Sequence, residues 1–131
     1  MESPDYQLMR VEEQEGIPVV SVLCSELRSD TVIARLEQEL ELFIDRSGAR
    51  QLVLDLSAVH FISSSGLRVL IVLRKRLRTL NGRFTMCGVQ PHVSSVFRTT
   101  RLFSESFEYL PDTASALAAL KGQASPEPGG R

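Results

Sequence analysis

Three consecutive serines, Ser63, Ser64 and Ser65, followed by Gly66, are the residues of this 131-residue chain best placed to do chemistry. They stand between two apolar runs. Leu52, Val53, Leu54 and Leu56 form a block too short for a helix and continuous enough for a strand buried on both faces. Leu67, Leu70, Leu73, Leu77 and Leu80 then recur at three- and four-residue steps, the spacing of a helix face. The serines therefore mark a helix entrance. Backbone N–H groups there are unpaired and carry partial positive charge, so a hydroxyl either caps the helix or presents a reactive oxygen. A hydrolase-type nucleophile elbow needs a glycine two residues before its serine, and Phe61, Ile62 and Ser63 supply none. There is no glycine-rich phosphate loop. His60 and His92 are too isolated to suggest a metal site. The expectation is a protein that is not an enzyme and holds no cofactor.

The flanking pattern supplies the elements that position this corner. Residues 6–11 read as a weak strand, 12–16 as a charged turn, and the valine-rich 17–24 as a stronger strand, the first two pairing as an antiparallel hairpin. Ser29 or Asp30 caps a helix whose apolar face is Val32, Ile33, Leu36, Leu40, Phe43 and Ile44, with Glu37, Gln38, Glu41 and Asp45 opposite and Gly48 at its end. Asn81-Gly82 stops the central helix, and residues 84–89 read as a further buried strand. Pro91 opens a shorter helix through Val93, Val96 and Phe97. Residues 107–110 suggest a last short strand, and Asp112 caps a helix over 113–120. This alternation predicts an α/β fold with crossover connections between parallel strands, the N-terminal strand making the sheet mixed.

Composition bounds the function. A net charge of −1, with 43% hydrophobic and 24% charged residues, is that of an ordinary globular domain and argues against a general nucleic-acid or membrane-surface binder. The basic run Arg74, Lys75, Arg76 and Arg78, with Arg68 and Arg83, is expected to be a solvated helix face, favoured near a helix C-terminus by the dipole. Cys24 and Cys87 lie in apolar runs without metal-type spacing and are expected to be buried free thiols. No apolar stretch is long enough for a membrane helix, and the acidic start MESPDYQ does not read as a signal peptide, so a cytoplasmic location is expected.

The residues Asp55-Leu56-Ser57, Val59 and Phe61-Ile62-Ser63-Ser64-Ser65-Gly66-Leu67 resemble the signature of STAS domains in bacterial anti-sigma-factor antagonists, roughly D-L-S-x-V-x-F-[IM]-D-S-[ST]-G-L, which closes a strand and opens a helix. The resemblance extends by pattern over residues 6–120. It implies a single STAS domain with a mixed, mostly parallel sheet of four or five strands and about four helices, after an extension over 1–5; the tail over 121–131, which has no apolar content worth burying, is expected to be disordered. It also implies a partner switch. The unphosphorylated family member binds an anti-sigma factor that is also a serine kinase, which releases a sigma factor; phosphorylation ends the contact, and a metal-dependent serine phosphatase resets it. Carried onto this chain, the phosphoacceptor is Ser64, with Ser65 as second choice, and Ser63 stands where the family usually has aspartate. The partner-binding residues implied are Asp55, Ser57, Ser63, Ser64, Ser65, Gly66 and Arg68. Read from the residues alone, Asp55 has the simpler role of ending its strand by accepting N–H bonds in the following turn. A STAS module that is not phosphorylated, binding constitutively or serving as a sensor or scaffold, is the alternative.

Overall fold

Two strands of opposite direction start the chain. In the computed structural model, which describes residues 6–100 and 109–122, β1 (Met9–Gln14) and β2 (Ile17–Val22) pair antiparallel with Gln14 opposite Ile17. Glu15 and Gly16, both at positive φ (56° and 82°), make the two-residue turn, whose twist matches that of the flanking strands. The hairpin is as expected but its bounds move. Glu12 and Glu13 pair with Val19 and Pro18 instead of turning, because so tight a turn leaves them inside the ladder. β2 likewise ends at Val22 rather than at 24. The following Leu23 donates its N–H to Leu8 O at 2.8 Å and leaves its side chain 45% exposed.

The remaining elements are β3 (Glu26–Leu27), α1 (Asp30–Ser47), β4 (Gln51–Asp55), β5 (Phe61–Ile62), α2 (Ser64–Thr79), β6 (Arg83–Cys87), α3 (Pro91–Thr100), β7 (Tyr109–Leu110) and α4 (Thr113–Gly122). The main sheet has the order β1-β2-β4-β6-β7, parallel throughout except for the β1–β2 pair. β3 and β5 form a separate two-stranded parallel sheet. Neither is visible in the sequence, since a two-residue strand carries no periodicity. α4 continues to Gly122, two residues beyond its expected end; the extension over 1–5 and the tail over 123–131 lie outside the described residues, as does 107–108 of the expected last strand.

Alternation along the strands divides the core. Val20, Val22, Leu52, Leu54, Phe84 and Met86 join the apolar faces of α1 and α2 and Val93 and Phe97 of α3. Ile17, Val19, Val53 and Cys87 face Ala116, Leu117 and Leu120 of α4. Helices on both faces explain why β4 reads as a continuous apolar run. Gly48 ends α1 in the left-handed region at φ 68°, its N–H on Ile44 O. α2 ends with Asn81 at φ 62°, Asn81 N–H on Arg78 O and Gly82 N–H on Leu77 O, a double bond pattern that satisfies the last carbonyls. Leu80 is thus the cap of α2 and lies outside the helix. Cys87 is buried as expected, whereas Cys24 is half-buried. Among the described residues no helix is long and apolar enough to cross a membrane.

Candidate functional site

The serine corner is held by the small sheet that the sequence does not reveal. β5 pairs Phe61 with Glu26 and Ile62 with Leu27, and the next residue, Ser63, donates its backbone N–H to Leu27 O at 2.9 Å. Its hydroxyl also donates to Leu27 O, at 3.1 Å, and accepts from Gly66 N–H at 3.1 Å. Extended backbone at Ser63 (φ −94°, ψ 174°) makes it the N-cap of α2. Both hydrogen-bonding capacities of that hydroxyl are therefore used in positioning the helix.

Gly66 is buried because the first turn of α2 presses onto β3. A Cβ there would come within 2.6 Å of Leu27 O and 2.8 Å of Ile62 Cγ1. The motif glycine is needed for close approach and not for backbone freedom. Ser64 and Ser65, in contrast, are exposed and make no side-chain hydrogen bond among the described residues. The first turn of α2 contains no acidic residue, so the helix dipole is unopposed there. Arg68, one turn on, is exposed and meets Glu37 of α1, Nη2 to Oε1 at 3.4 Å.

Asp55 and Ser57 form a turn of their own. Asp55 Oδ1 accepts from Ser57 N–H at 2.9 Å and from Ser57 Oγ at 2.7 Å, the local Asx closure that the strand-ending reading anticipates. Leu56 N–H donates to Cys87 O, and Gln90 Nε2 donates to Ser57 O at 2.9 Å. Gly88 (φ 68°) brings its backbone against the same turn, with its Cβ position 2.8 Å from Ser57 Cβ. Among the described residues, neither Asp55 nor Ser57 hydrogen-bonds to the three serines. They brace the loop that leads to β5.

Sequence patterns also missed an aromatic stack beside the corner. Phe61 stacks on His92 of α3, centroids 4.7 Å apart and 19° from coplanar. Arg28, ion-paired to Glu26 at 3.2 Å, places its guanidinium 5.4 Å from the Phe61 centroid. Residues 30 or more apart in the chain meet here, so no local signal marks them. His92 is thus accounted for as a stacking partner, and among the described residues no group of three metal-ligating side chains occurs. Burial pushes the thiols of Cys24 and Cys87 above the ordinary range, opposed at Cys87 by the Thr113 hydroxyl. Neither thiol is poised as a nucleophile.

Comparison with known proteins agrees with this arrangement. The model of the STAS domain family matches residues 8–116. The candidate anti-sigma factor antagonist BtrV of Bordetella bronchiseptica is 39% identical over 87 residues, spanning 66% of this chain and 73% of its own. An anti-sigma factor antagonist from Mycobacterium paratuberculosis superposes with a TM-score of 0.73 at 32% identity, covering 92% of this chain and 99% of that one. The antagonist SpoIIAA of Bacillus shares the fold. Its unphosphorylated form has a TM-score of 0.70 at 16% identity over 87% of this chain and 96% of its own, and it has also been solved phosphorylated. With the serine corner, the mixed sheet and these likenesses together, the chain belongs to the STAS domain family, among the anti-sigma factor antagonists.

Proposed function

We propose that this chain is the antagonist half of a phosphorylation-controlled partner switch acting in the cytoplasm. Unphosphorylated, it binds an anti-sigma factor that is also a serine kinase and so frees a sigma factor. Phosphorylation at Ser64 ends that contact, and a metal-dependent phosphatase restores it. The observation that carries the reading is the division of labour among the three serines. Ser63 is committed to the cap, while Ser64 stands exposed as the first residue of α2. Ser65 shares that exposure and is the second choice.

The transfer balances simply. Ser64 Oγ attacks the γ-phosphorus of ATP held by the kinase, an O–P bond forms, the bond to ADP breaks, and the hydroxyl proton passes to a base on the kinase. The product carries about −1.5 to −2 charges at pH 7. Since the N-terminus of a helix favours anions, the modified domain stays folded. Release then arises at the interface, from added bulk, desolvation and repulsion of partner carboxylates. Gly66 and the Ser63 cap hold the surface on which this happens, and Asp55 and Ser57 shape the approach to it.

The test uses the purified chain with its anti-sigma kinase, ATP and magnesium. Intact mass should rise by one phosphate, mapped to Ser64. Ser64→Ala should block incorporation and keep binding, whereas Ser64→Asp should weaken binding by tenfold or more, on the order of one lost buried polar contact. If no phosphate enters under any condition while binding persists, the chain is a constitutive STAS module instead.

A further inference from the structure

We infer that Arg68 is the residue that receives the phosphate, giving up Glu37 to do so, and that the modification is thereby written onto the groove between α1 and α2 as well as onto the serine corner. This rests on the phosphoacceptor reading above. Side chains of a helix lean toward its N-terminus, and positions four apart are neighbours, about 5–6 Å between Cβ atoms. Arg68 lies four residues after Ser64 and three after Ser65, so its guanidinium sweeps the turn that carries both exposed hydroxyls.

Its present partner holds it loosely. The Arg68–Glu37 contact of 3.4 Å is long for a charge-assisted bond, which is ordinarily about 2.7–2.9 Å. Arg68 is 66% exposed, and Glu37 sits at 22% with its second oxygen, Oε2, buried and without a hydrogen-bond partner. A phosphate dianion offers about twice the charge of a carboxylate and three acceptor oxygens in a geometry that a guanidinium fork matches. It also lies on the same helix, so no second element has to be held. The phosphate wins the competition.

The consequence reaches α1. Glu37, Glu41 and Asp45 line the α1–α2 groove with Arg68 at one end, and Arg76 pairs with Glu41 (3.6 Å) and with Asp45 further along. Drawing Arg68 toward α2's first turn leaves Glu37 without its counter-charge, and the Ser64 end of the groove becomes acidic. A phosphatase or a second partner could therefore read the modified state from a face that does not include the serine itself.

The experiment installs phosphoserine at position 64 of the full chain during synthesis, so that no kinase is required. The second ionisation of the phosphate is then followed by 31P NMR at low ionic strength. It should occur at lower pH, by about half a pH unit, than in the Arg68→Gln variant. Arg68→Lys should recover part of the difference, and Glu37→Gln, which removes the competitor, should lower the transition further. Lys75→Gln, which removes an exposed positive charge about three turns away along α2, should leave it unchanged. Identical titrations with and without Arg68 would overturn the handover, as would an equal effect of Lys75→Gln. Failure of the kinase assay would leave this measurement unaffected, and a working kinase switch with a silent Arg68 would separate the two ideas in the other direction.

Discussion

Replacing Gly66 by alanine sets two effects of opposite sign against each other. Helix propensity favours alanine over glycine by about 1 kcal/mol in a helix interior, so an isolated reading of α2 expects stabilisation. The tertiary contact says otherwise. The new methyl would lie 2.6 Å from Leu27 O and 2.8 Å from Ile62 Cγ1, both below any ordinary contact. Ile62 can move Cγ1 only by turning its whole side chain about χ1, and Leu27 O is backbone that also accepts two bonds from Ser63. Relief requires α2 to back away from β3, and overpacking of this kind costs about 1–3 kcal/mol. The same retreat lengthens the Ser63 bonds to Leu27, each worth about 0.5–1.5 kcal/mol. The net is a destabilisation of about 1–5 kcal/mol centred near 3, on the order of 10 °C in Tm for a chain of this size. Thermal unfolding followed by circular dichroism measures it directly. Amide exchange at Ser63 and Leu67 should accelerate more than exchange in β4. An unchanged or raised Tm would mean that the β3–α2 contact is not tight, and would refute close approach as the reason for a glycine at this position.

Other substitutions probe the remaining supports. Glu39 is a carboxylate of α1 at 3% exposure that accepts from Gln7 N–H, Leu8 N–H and Arg35 Nε at 2.8–2.9 Å. Glu39→Ala should cost about 2–4 kcal/mol in denaturant unfolding and speed amide exchange at Gln7 and Leu8 first. Ser63→Ala should cost about 1–2 kcal/mol by removing the cap. Ser63→Asp should fall between, because it restores the acceptor for Gly66 N–H but not the donor to Leu27 O. For the thiols, a folded-state pKa raised by burial means stability that is fully present below the ordinary thiol range and is lost as pH rises through the folded value. Alkylation at pH 7 should be slow for both, with half-buried Cys24 ahead of buried Cys87 by mass spectrometry; a fast Cys87 would contradict its burial.

Much of the fold was legible because local rules and tertiary needs coincide. The alternating strands and helices, the Gly48 and Asn81-Gly82 stops and the Asp112 cap, which accepts Ser115 N–H at 2.8 Å, each follow from a spacing or a residue's backbone preference. Asp55 closing its own turn with Ser57 is likewise a two-residue affair that the motif carries within itself. The strands β3 and β5 escaped because two residues cannot show a period of two, and no recognised strand-like stretch contains them as 107–110 contains β7. Glu39 escaped because a single acidic residue in a helix otherwise edged with Glu37, Gln38 and Glu41 gives no sign of which one turns inward.

The sequence by itself determined that three hydroxyls gather at the entrance of a helix after a buried strand, since apolar periodicity and small residues need only the chain's own geometry. Which hydroxyl is consumed was a tertiary decision. Leu27, 36 residues from Ser63, offers its carbonyl to Ser63 and its backbone to Gly66, and this pairing of β3 with β5 alone commits Ser63 to structure and leaves Ser64 and Ser65 in solvent. The same holds for Arg68, whose partner Glu37 belongs to another helix. Contacts between elements depend on how their faces pack, and packing is a property of the whole core rather than of any stretch within it.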